Sequence, residues 1–525
     1  MHLPRRPVRP RTKLRILRAS GMEAQSIKQQ IVAALGRAVE RFDWVDSATV
    51  TGSFLAGHDL GGISDIDFVV VVEQLCGRRF EELQDACREA LAPVVRAAGY
   101  RLRINPTLGP LKFNDAATAV LHLMIYSRAG HVEHVVNSPF TCFDWQRSTT
   151  WFKRPLADVF AVFGLQPRHF LSARRSVSDY LRDYRAGRVS YREMECDESA
   201  CREVRRELPM QLRDRVEFAW HIVRFLMQNF LKLIRRRNET PEGRALCQAF
   251  LVEFPADADI IAPLFDELAA VKKSQDFSAS PRHLDERLER FVLAFEWQFR
   301  RAFVDEATRH VVFRHAPTAW NRGEGEAKRF VGRTDLPIDN VVDADLGPLL
   351  DQVRQRRFHA TFVSPLVRSA QSMAALAERH ALPSPHRDER LTEIDYGACE
   401  GLTVGEARRL HPRLFSAWQS DEDAPFPDGE NSESVRRRVL EFCEQRWIGG
   451  DTLTCTHNVV LRTLIGQTLG VPRPLWRRLS IGHLQPYAFI QTRRYGLFAD
   501  LDEAVFRSTF ANLVLQPVLK QRAAA

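Results

Sequence analysis

Two short apolar strands in the C-terminal half of the chain each run directly into a histidine. Val311-Val312-Phe313 leads into Arg314-His315, and Leu453-Thr454-Cys455-Thr456 leads into His457. Helical and strand patterns alternate around them from Val311 to about Leu501. Polar residues at the ends of buried strands, with helices between, read as an α/β sheet whose ligand crevice lies at the carboxyl ends of its strands. The whole chain, at 525 residues, has room for three domains or four.

Upstream the pattern changes twice. From Met22 to about Phe42, Ile27, Ile31, Leu35 and Val39 recur at helical spacing. Strands are expected at Ala48 to Thr51 and Asp67 to Val72, a helix from Phe80 to Ala98, and further strands at Arg101 to Asn105 and Ala119 to Tyr126. Residues 150–305 read as wholly helical: Val216, Trp220, Val223, Met227 and Phe230 line one long helix, and Leu284, Leu288, Phe291, Phe295 and Phe299 line another. The expected organisation is α/β multidomain: an α/β domain over 22–148, an all-α middle over 149–306, and a second α/β domain over 307–525.

Charge narrows the partners. Of the net charge of +9, seven Lys/Arg lie in residues 1–20, which hold no acid, so the other 505 residues carry only +2. A disordered basic tail (residues 1–21) on a near-neutral protein gives little case for nucleic acid as a partner. The tail lacks the apolar core of a secretory signal. No apolar run approaches the ~20 residues that span a bilayer, so no membrane partner is expected. The nine cysteines, odd in number and scattered, point to reduced thiols in a cytoplasmic protein. Cys196 and Cys201 are close, but no second Cys/His pair follows at zinc spacing.

The C-terminal residues form an ordered set: Arg314-His315-Ala316-Pro317-Thr318-Ala319-Trp320-Asn321, then Ser364-Pro365-Leu366-Val367-Arg368, then Leu391-Thr392-Glu393-Ile394-Asp395-Tyr396-Gly397 with Glu400-Gly401, and last Thr456-His457-Asn458. Two strand-end histidines, two arginines and an acid suit a phosphate, whose oxygens the guanidinium forks match. In this order the segments resemble the histidine phosphatase superfamily, the phosphoglycerate mutase-like fold, over about residues 309–490. The resemblance implies a metal-free phosphomonoester hydrolase acting on a small phosphorylated metabolite. His315 would be the nucleophile that becomes phosphohistidine, and Arg314, Arg368 and His457 would hold the phosphoryl oxygens. Asn321 would help orient the group. Glu393 would protonate the leaving oxygen and later deprotonate the attacking water, a proton being needed because an alkoxide leaves badly. Ala316 replaces the family's usual glycine, and Asn458-Val459 its usual pair of small residues. The compact core, with Gly332-Arg333-Thr334-Asp335-Leu336-Pro337 and Pro427-Asp428-Gly429-Glu430, is similar to the phosphatase rather than the mutase branch.

A second set lies near the N-terminus. Gly52-Ser53 ends one strand and Asp65-Ile66-Asp67 opens the next, with eleven residues between. Aspartates at i and i+2 share one face of a strand, about 7 Å apart at their α-carbons, and suit a divalent metal. The glycine lets a triphosphate approach the backbone, and the serine hydroxyl can bond a phosphate oxygen. This arrangement resembles the minimal nucleotidyltransferase core of the polymerase-β-like superfamily over roughly residues 23–148. The resemblance implies Mg²⁺ on Asp65 and Asp67 and a nucleoside triphosphate at Gly52 and Ser53. The family's third carboxylate is missing: Val120 to Tyr126 contains no acid, and His122 is the polar residue nearest that role, as base, ligand or structural residue. Asp115 and Glu133 flank that strand. Two readings stay open: nucleotide transfer to a small acceptor, or a catalytically inactive nucleotide-binding regulator or protein-partner module. In the middle segment, Arg215 and His221 resemble the Rx4–6H element of HEPN ribonucleases, a spacing that one long helix produces by chance.

Overall fold

In a computed structural model of the chain, residues 21–55, 63, 65–109, 111, 117–170, 178–237, 239–274, 276–277, 280–322, 325–339, 343–420 and 422–522 are described. Residues 1–20 of the basic tail, Asp115 and the side chain of Ser53 lie outside them. The chain divides into two compact units. The first holds the described residues up to Gly130, with Ser148–Leu156 and Tyr191–Arg206; the second holds His131–Arg147, Ala157–Ser190 and the described residues from Glu207 onward.

The first unit is built on a five-stranded sheet. Its strands are β1 (Val45–Thr51), β2 (Ile66–Val72), β3 (Arg101–Asn105), β4 (Thr118–Ser127) and β5 (Trp151–Phe152), in the order β3-β4-β2-β1-β5. β2, β4 and β3 run parallel, while β1 pairs antiparallel with β2 and with β5. The unbroken apolar runs Phe68–Val72 and Leu123–Ile125 mark strands buried on both faces, as parallel neighbours must be. The helices Gly21–Glu40 and Gly77–Ala97 bury Ile31, Leu35, Val39, Leu83, Leu91 and Val95 in one core with Val50, Phe68 and Val70.

The middle segment is not wholly helical. A hairpin of β6 (Arg188–Cys196) and β7 (Cys201–Pro209) interrupts it, and Cys196 and Cys201 form a disulfide at its tip, against the expectation of reduced thiols. Among the described residues the other cysteines are free. Hydrophobic periodicity could not reveal this hairpin because its cross-strand pairs are charges. Arg192 meets Glu203 at 2.9 Å, Arg206 meets Glu193 at 3.0 Å, and Arg202 meets Glu195 at 2.7 Å.

The helices Leu212–Arg235, Gly243–Leu251, Ala258–Ser274 and Leu284–Arg300 pack around a phenylalanine-rich core that includes Phe230, Phe250, Phe254, Phe291, Phe295 and Phe299. The candidate HEPN pair dissolves into this packing. Arg215 pairs with Asp285 at 2.6 Å, and His221 stacks with Tyr180 and Phe225 beside the buried Glu217. Glu133 pairs with Arg507 in this second unit.

The same unit carries a second sheet: β8 (Thr308–Arg314), β9 (Ala360–Val363), β10 (Pro385–Arg387), β11 (Thr452–Thr456), β12 (Pro486–Thr492) and β13 (Gly496–Ala499), in the order β10-β9-β11-β8-β12-β13. The first four strands in that order are parallel, and β12 and β13 close the edge antiparallel. Residue 307 is not a clean boundary: the sheet keeps a core of its own around Val311, Phe313, Leu349 and Leu453, yet its edge packs among the helices. Phe498 of β13 belongs to the phenylalanine core of the helices, Phe303 lies against both Phe498 and Tyr495, and Arg236 donates to the Leu497 carbonyl at 2.6 Å.

Phe295 touches Phe170, Phe230, Phe250, Phe254 and Phe299 and is fully buried. Phe295→Ala should therefore cost about 3–5 kcal/mol in urea denaturation. Because Phe498 and Tyr495 tie the edge of the second sheet into this core, the helical signal and the signal from Trp447 beside that sheet should shift together.

Candidate active site

The parallel register of β8 and β11 pairs Arg314 with Thr456, and the His315 amide donates to the Thr456 carbonyl at 3.0 Å. The side chains that follow, His315 and His457, therefore emerge side by side, with ring centroids 5.0 Å apart. β9 leads through Ser364 and Pro365 into the helix Val367–Ala377, whose first turn carries Arg368. Glu393 comes from the segment after β10. The sequence thus placed these residues correctly at the carboxyl ends of strands.

His315 is fixed in one neutral form. Its Nδ1–H donates to the Ala316 carbonyl at 2.6 Å, so Nε2 holds the lone pair and accepts from Arg368 Nε at 3.3 Å. Burial first, then Arg314 and Arg368, push the His315 imidazolium well below the usual histidine range; burial, Arg368 and His315 do the same to His457. Arg368 is fully buried and also donates to the carbonyls of Thr334, at 2.8 Å, and Gly332, at 2.7 Å. Glu400 holds that loop by accepting from the amides of Gly332 and Thr334 at 2.9 and 3.0 Å. A β-carbon at Gly332 would stand 2.5 Å from the Ile394 carbonyl, so only glycine admits the approach of the two loops.

Glu393 is buried, and both its oxygens accept backbone N–H groups. Oε1 accepts from Ile394 and Val459, and Oε2 from Asn458, each at 3.0 Å. Asn458 and Val459 open the helix Asn458–Thr468, so the two departures from the family's small residues contribute through their amides. Arg438 pins the same segment, donating to the carbonyls of Arg390 and Thr392 at 2.7 and 2.6 Å and pairing with Glu430. Asn321 closes the turn after His315: its Oδ1 accepts from the Thr318 amide at 2.9 Å and from the Thr318 hydroxyl at 3.0 Å.

Around these groups the polar atoms converge without partners. Among the described residues, Arg314 Nε, both ring nitrogens of His457 and Asn458 Oδ1 are buried and meet no hydrogen-bonding group of the protein. Desolvation brings the Arg314 guanidinium down to about 10, against the pull of Glu393. Arg314 Nε–H and the one N–H of neutral His457 are donors, and buried donors of this kind stabilise an anion that gathers charge, while Asn458 Oδ1 is an acceptor. Sequence reasoning missed His483 and Arg462, and it named Glu400 without its role in holding the Arg368 loop. His483 donates from Nδ1 to the His315 carbonyl at 2.7 Å, and Arg462 lies one helical turn beyond Asn458. The only available signal was the i, i+4 spacing of Asn458 and Arg462.

In the first unit the Asp pair finds one more polar partner. Asp67 on β2 lies opposite Thr51 and His122, and His122 lies opposite Asn105 on β3. Asn105 Oδ1 accepts from the Thr107 hydroxyl at 2.9 Å, which turns its Nδ2–H toward His122 Nδ1 at 2.8 Å. His122 Nε2 lies 2.9 Å from Asp65 Oδ1, an ion-pair distance, so the imidazole sits between Asn105 and Asp65. Gly52 has φ +82°, and a β-carbon there would lie 2.5 Å from Asp67 Oδ2. Among the described residues no three His, Cys, Asp or Glu side chains converge as metal ligands. Two carboxylates beside an open glycine do fit Mg²⁺, which is commonly held by one or two carboxylates together with substrate phosphates.

Comparison with known proteins finds matches to the C-terminal part of the second unit. Residues 311–496 match the model of the histidine phosphatase superfamily (branch 1). A "bifunctional protein" of Mycobacterium tuberculosis is 32% identical over 177 residues, 33% of this chain and 48% of that protein, so the chain spans about half the length of such curated relatives. Phosphoserine phosphatase 1 of Hydrogenobacter thermophilus is 26% identical over 165 residues, 31% of this chain and 76% of that one. A solved mycobacterial glucosyl-3-phosphoglycerate phosphatase is 23% identical, covering 37% of this chain and 97% of its own, at a TM-score of 0.32. Among the described residues no helix is long and apolar enough to cross a membrane.

The suppressed histidine values fix a pH dependence. In the unfolded chain these imidazoles protonate near 6.5, whereas the folded chain keeps His315 and His457 neutral to much lower pH. The unfolded state then binds more protons, so stability falls as pH drops below about 6.5 and keeps falling toward the folded values. Melting temperature should drop less between about pH 7.5 and 5 for His457→Gln than for the wild type. Equal drops would mean that His457 is not held neutral.

Proposed function

We propose that the second unit is a metal-independent phosphatase that hydrolyses monoesters of small phosphorylated metabolites through a phosphohistidine at His315. The observation that carries this reading is the fixed His315 tautomer, with its Nε2 lone pair beside the buried Arg368 and next to His457. In the first half-reaction Nε2 attacks phosphorus, the bond to the leaving oxygen breaks, and protonated Glu393 gives its proton to that oxygen. In the second, Glu393 takes a proton from water, the resulting oxygen attacks the phosphohistidine, and phosphate leaves with His315 neutral again. Arg314, Arg368 and His457 hold the phosphoryl oxygens as charge gathers on them, and Asn321 orients the group. The phosphatase named among the relatives supports hydrolysis as the outcome.

His315→Ala should abolish p-nitrophenyl phosphate hydrolysis, and EDTA should leave the wild-type rate intact. Glu393→Gln should slow alkyl phosphates far more than p-nitrophenyl phosphate, by up to the roughly 10²–10⁴-fold that general acids supply, because nitrophenolate leaves without a proton. Arg368→Ala should slow both alike. Single-turnover rates read the differences, and a uniform loss in Glu393→Gln would remove it as the acid.

For the first unit we propose binding of a Mg²⁺–nucleoside triphosphate, with the metal on Asp65 and Asp67 and the phosphates beside Gly52 and Ser53. Bound Mg²⁺ would neutralise phosphate charge. The placement of His122, where an acid would serve transfer, favours a regulatory nucleotide site over nucleotide transfer to a small acceptor. ATP, CTP, GTP or UTP should raise the melting temperature only with Mg²⁺, by the equivalent of about 2.7 kcal/mol at a hundredfold excess over Kd. Equal stabilisation of the Asp65→Asn/Asp67→Asn variant would exclude the pair. Pyrophosphate release with a small acceptor would favour transfer.

A further inference from the structure

A cavity of about 660 Å³ is lined in part by Ile394, Asn458 and Val459, the residues whose amides hold Glu393. If Glu393 protonates the leaving oxygen, the leaving group departs into this cavity. Its volume falls in the range that encloses a drug-sized ligand and gives far more room than a three-carbon leaving group fills. One wall is aromatic: Phe330, Trp418 and Phe426 stand edge to face, with Phe426 centred 5.6 Å from Phe330 and 5.3 Å from Trp418.

The cations around the cavity fall into two kinds. Arg473 is closed by Glu433 at 2.8 Å, and Arg408 is closed by Glu326. Arg462 is anchored through Nε alone, to the Leu479 carbonyl at 2.8 Å. Among the described residues neither its terminal nitrogens nor Lys328 Nζ meets an acceptor. Lys328 and Arg462 line the same cavity, and desolvation first, then Arg462 and Arg314, push the Lys328 ammonium down. Among the described residues Glu393 is the carboxylate that offsets Arg462, and its oxygens are already held by backbone amides. A phosphoryl dianion on Arg314 and Arg368 leaves Arg462 and Lys328 uncompensated.

We propose that this cavity is the leaving-group site and that the substrate carries a flat ring against Phe330, Trp418 and Phe426 and a second anionic group, phosphate or carboxylate, on Arg462 and Lys328. This rests on the phosphatase reading of His315 and Glu393. Both anions suit a guanidinium fork, and the ring distinguishes such a substrate from a short aliphatic phospho-acid.

The test compares KM within matched pairs of substrates: adenosine 3′,5′-bisphosphate against adenosine 5′-monophosphate, and 4-carboxyphenyl phosphate against phenyl phosphate. The doubly anionic member should have the lower KM, by tenfold or more, in at least one pair; the pair that shows it tells phosphate from carboxylate. O-phosphoserine, anionic but ringless, should have a KM at least tenfold above the better doubly anionic substrate. Lys328→Glu, at an exposed position, and Arg462→Met should each shrink the preference within the pair at least fivefold. A preference below twofold in both pairs, a preference unmoved by Lys328→Glu, or an O-phosphoserine KM matching the ring substrates would overturn the proposal. Failure of the wild type to hydrolyse phenyl phosphate at all would instead overturn the phosphatase reading beneath it.

Discussion

One buried guanidinium organises the crevice of the second unit. Removing an arginine from water is expensive, and such a charge persists only where the fold meets it with well-placed groups. Arg368 donates to two carbonyls and an imidazole, and among the described residues no carboxylate hydrogen-bonds to it. Glu393, Asp335 and Glu400 offset its charge without direct contact. Burial first, with Arg314 and this charge added, keeps the neighbouring imidazoles neutral, and a neutral imidazole is the form with a lone pair to offer. The loop that supplies the carbonyls depends in turn on Glu400 and on the absence of a side chain at Gly332. A change at either position would act on the crevice through Arg368.

The phenylalanine-rich helices and the second sheet share a core through Phe303, Tyr495 and Phe498, so the helices brace the β12–β13 edge of that sheet. β12 pairs directly with β8, the strand that delivers Arg314 and His315. Packing far from the crevice thus limits how freely the strand can shift. This mechanical link explains why a helical segment can matter to chemistry it does not touch.

The sequence was legible where chemistry and backbone geometry coincide. Arg314, His315, Arg368, Glu393 and His457 sit at strand ends and first turns, and those positions can be read from short apolar runs followed by polar residues. Gly52, Asp65 and Asp67 were readable in the same way, and His122 was recognisable as the group facing them. The hairpin Arg188–Pro209 was not, because alternating arginine and glutamate carries no hydrophobic period. The disulfide was hidden because only the hairpin brings Cys196 beside Cys201. The boundary near residue 307 was read from a change of pattern, and a change of pattern does not reveal that Phe498 packs back among the helices. Arg462 and Lys328 were invisible as a pair: they lie far apart in the chain, and surface cations are common.

Glu393 is gripped by the amides of residues 458 and 459, and an amide is supplied by every amino acid except proline. Those two positions are thus constrained in backbone and nearly unconstrained in side chain. Substitutions there could therefore reshape the wall of the cavity that Asn458 and Val459 line while the Glu393 carboxylate stays where it is, so that under the proposed reaction substrate preference and proton transfer could change independently.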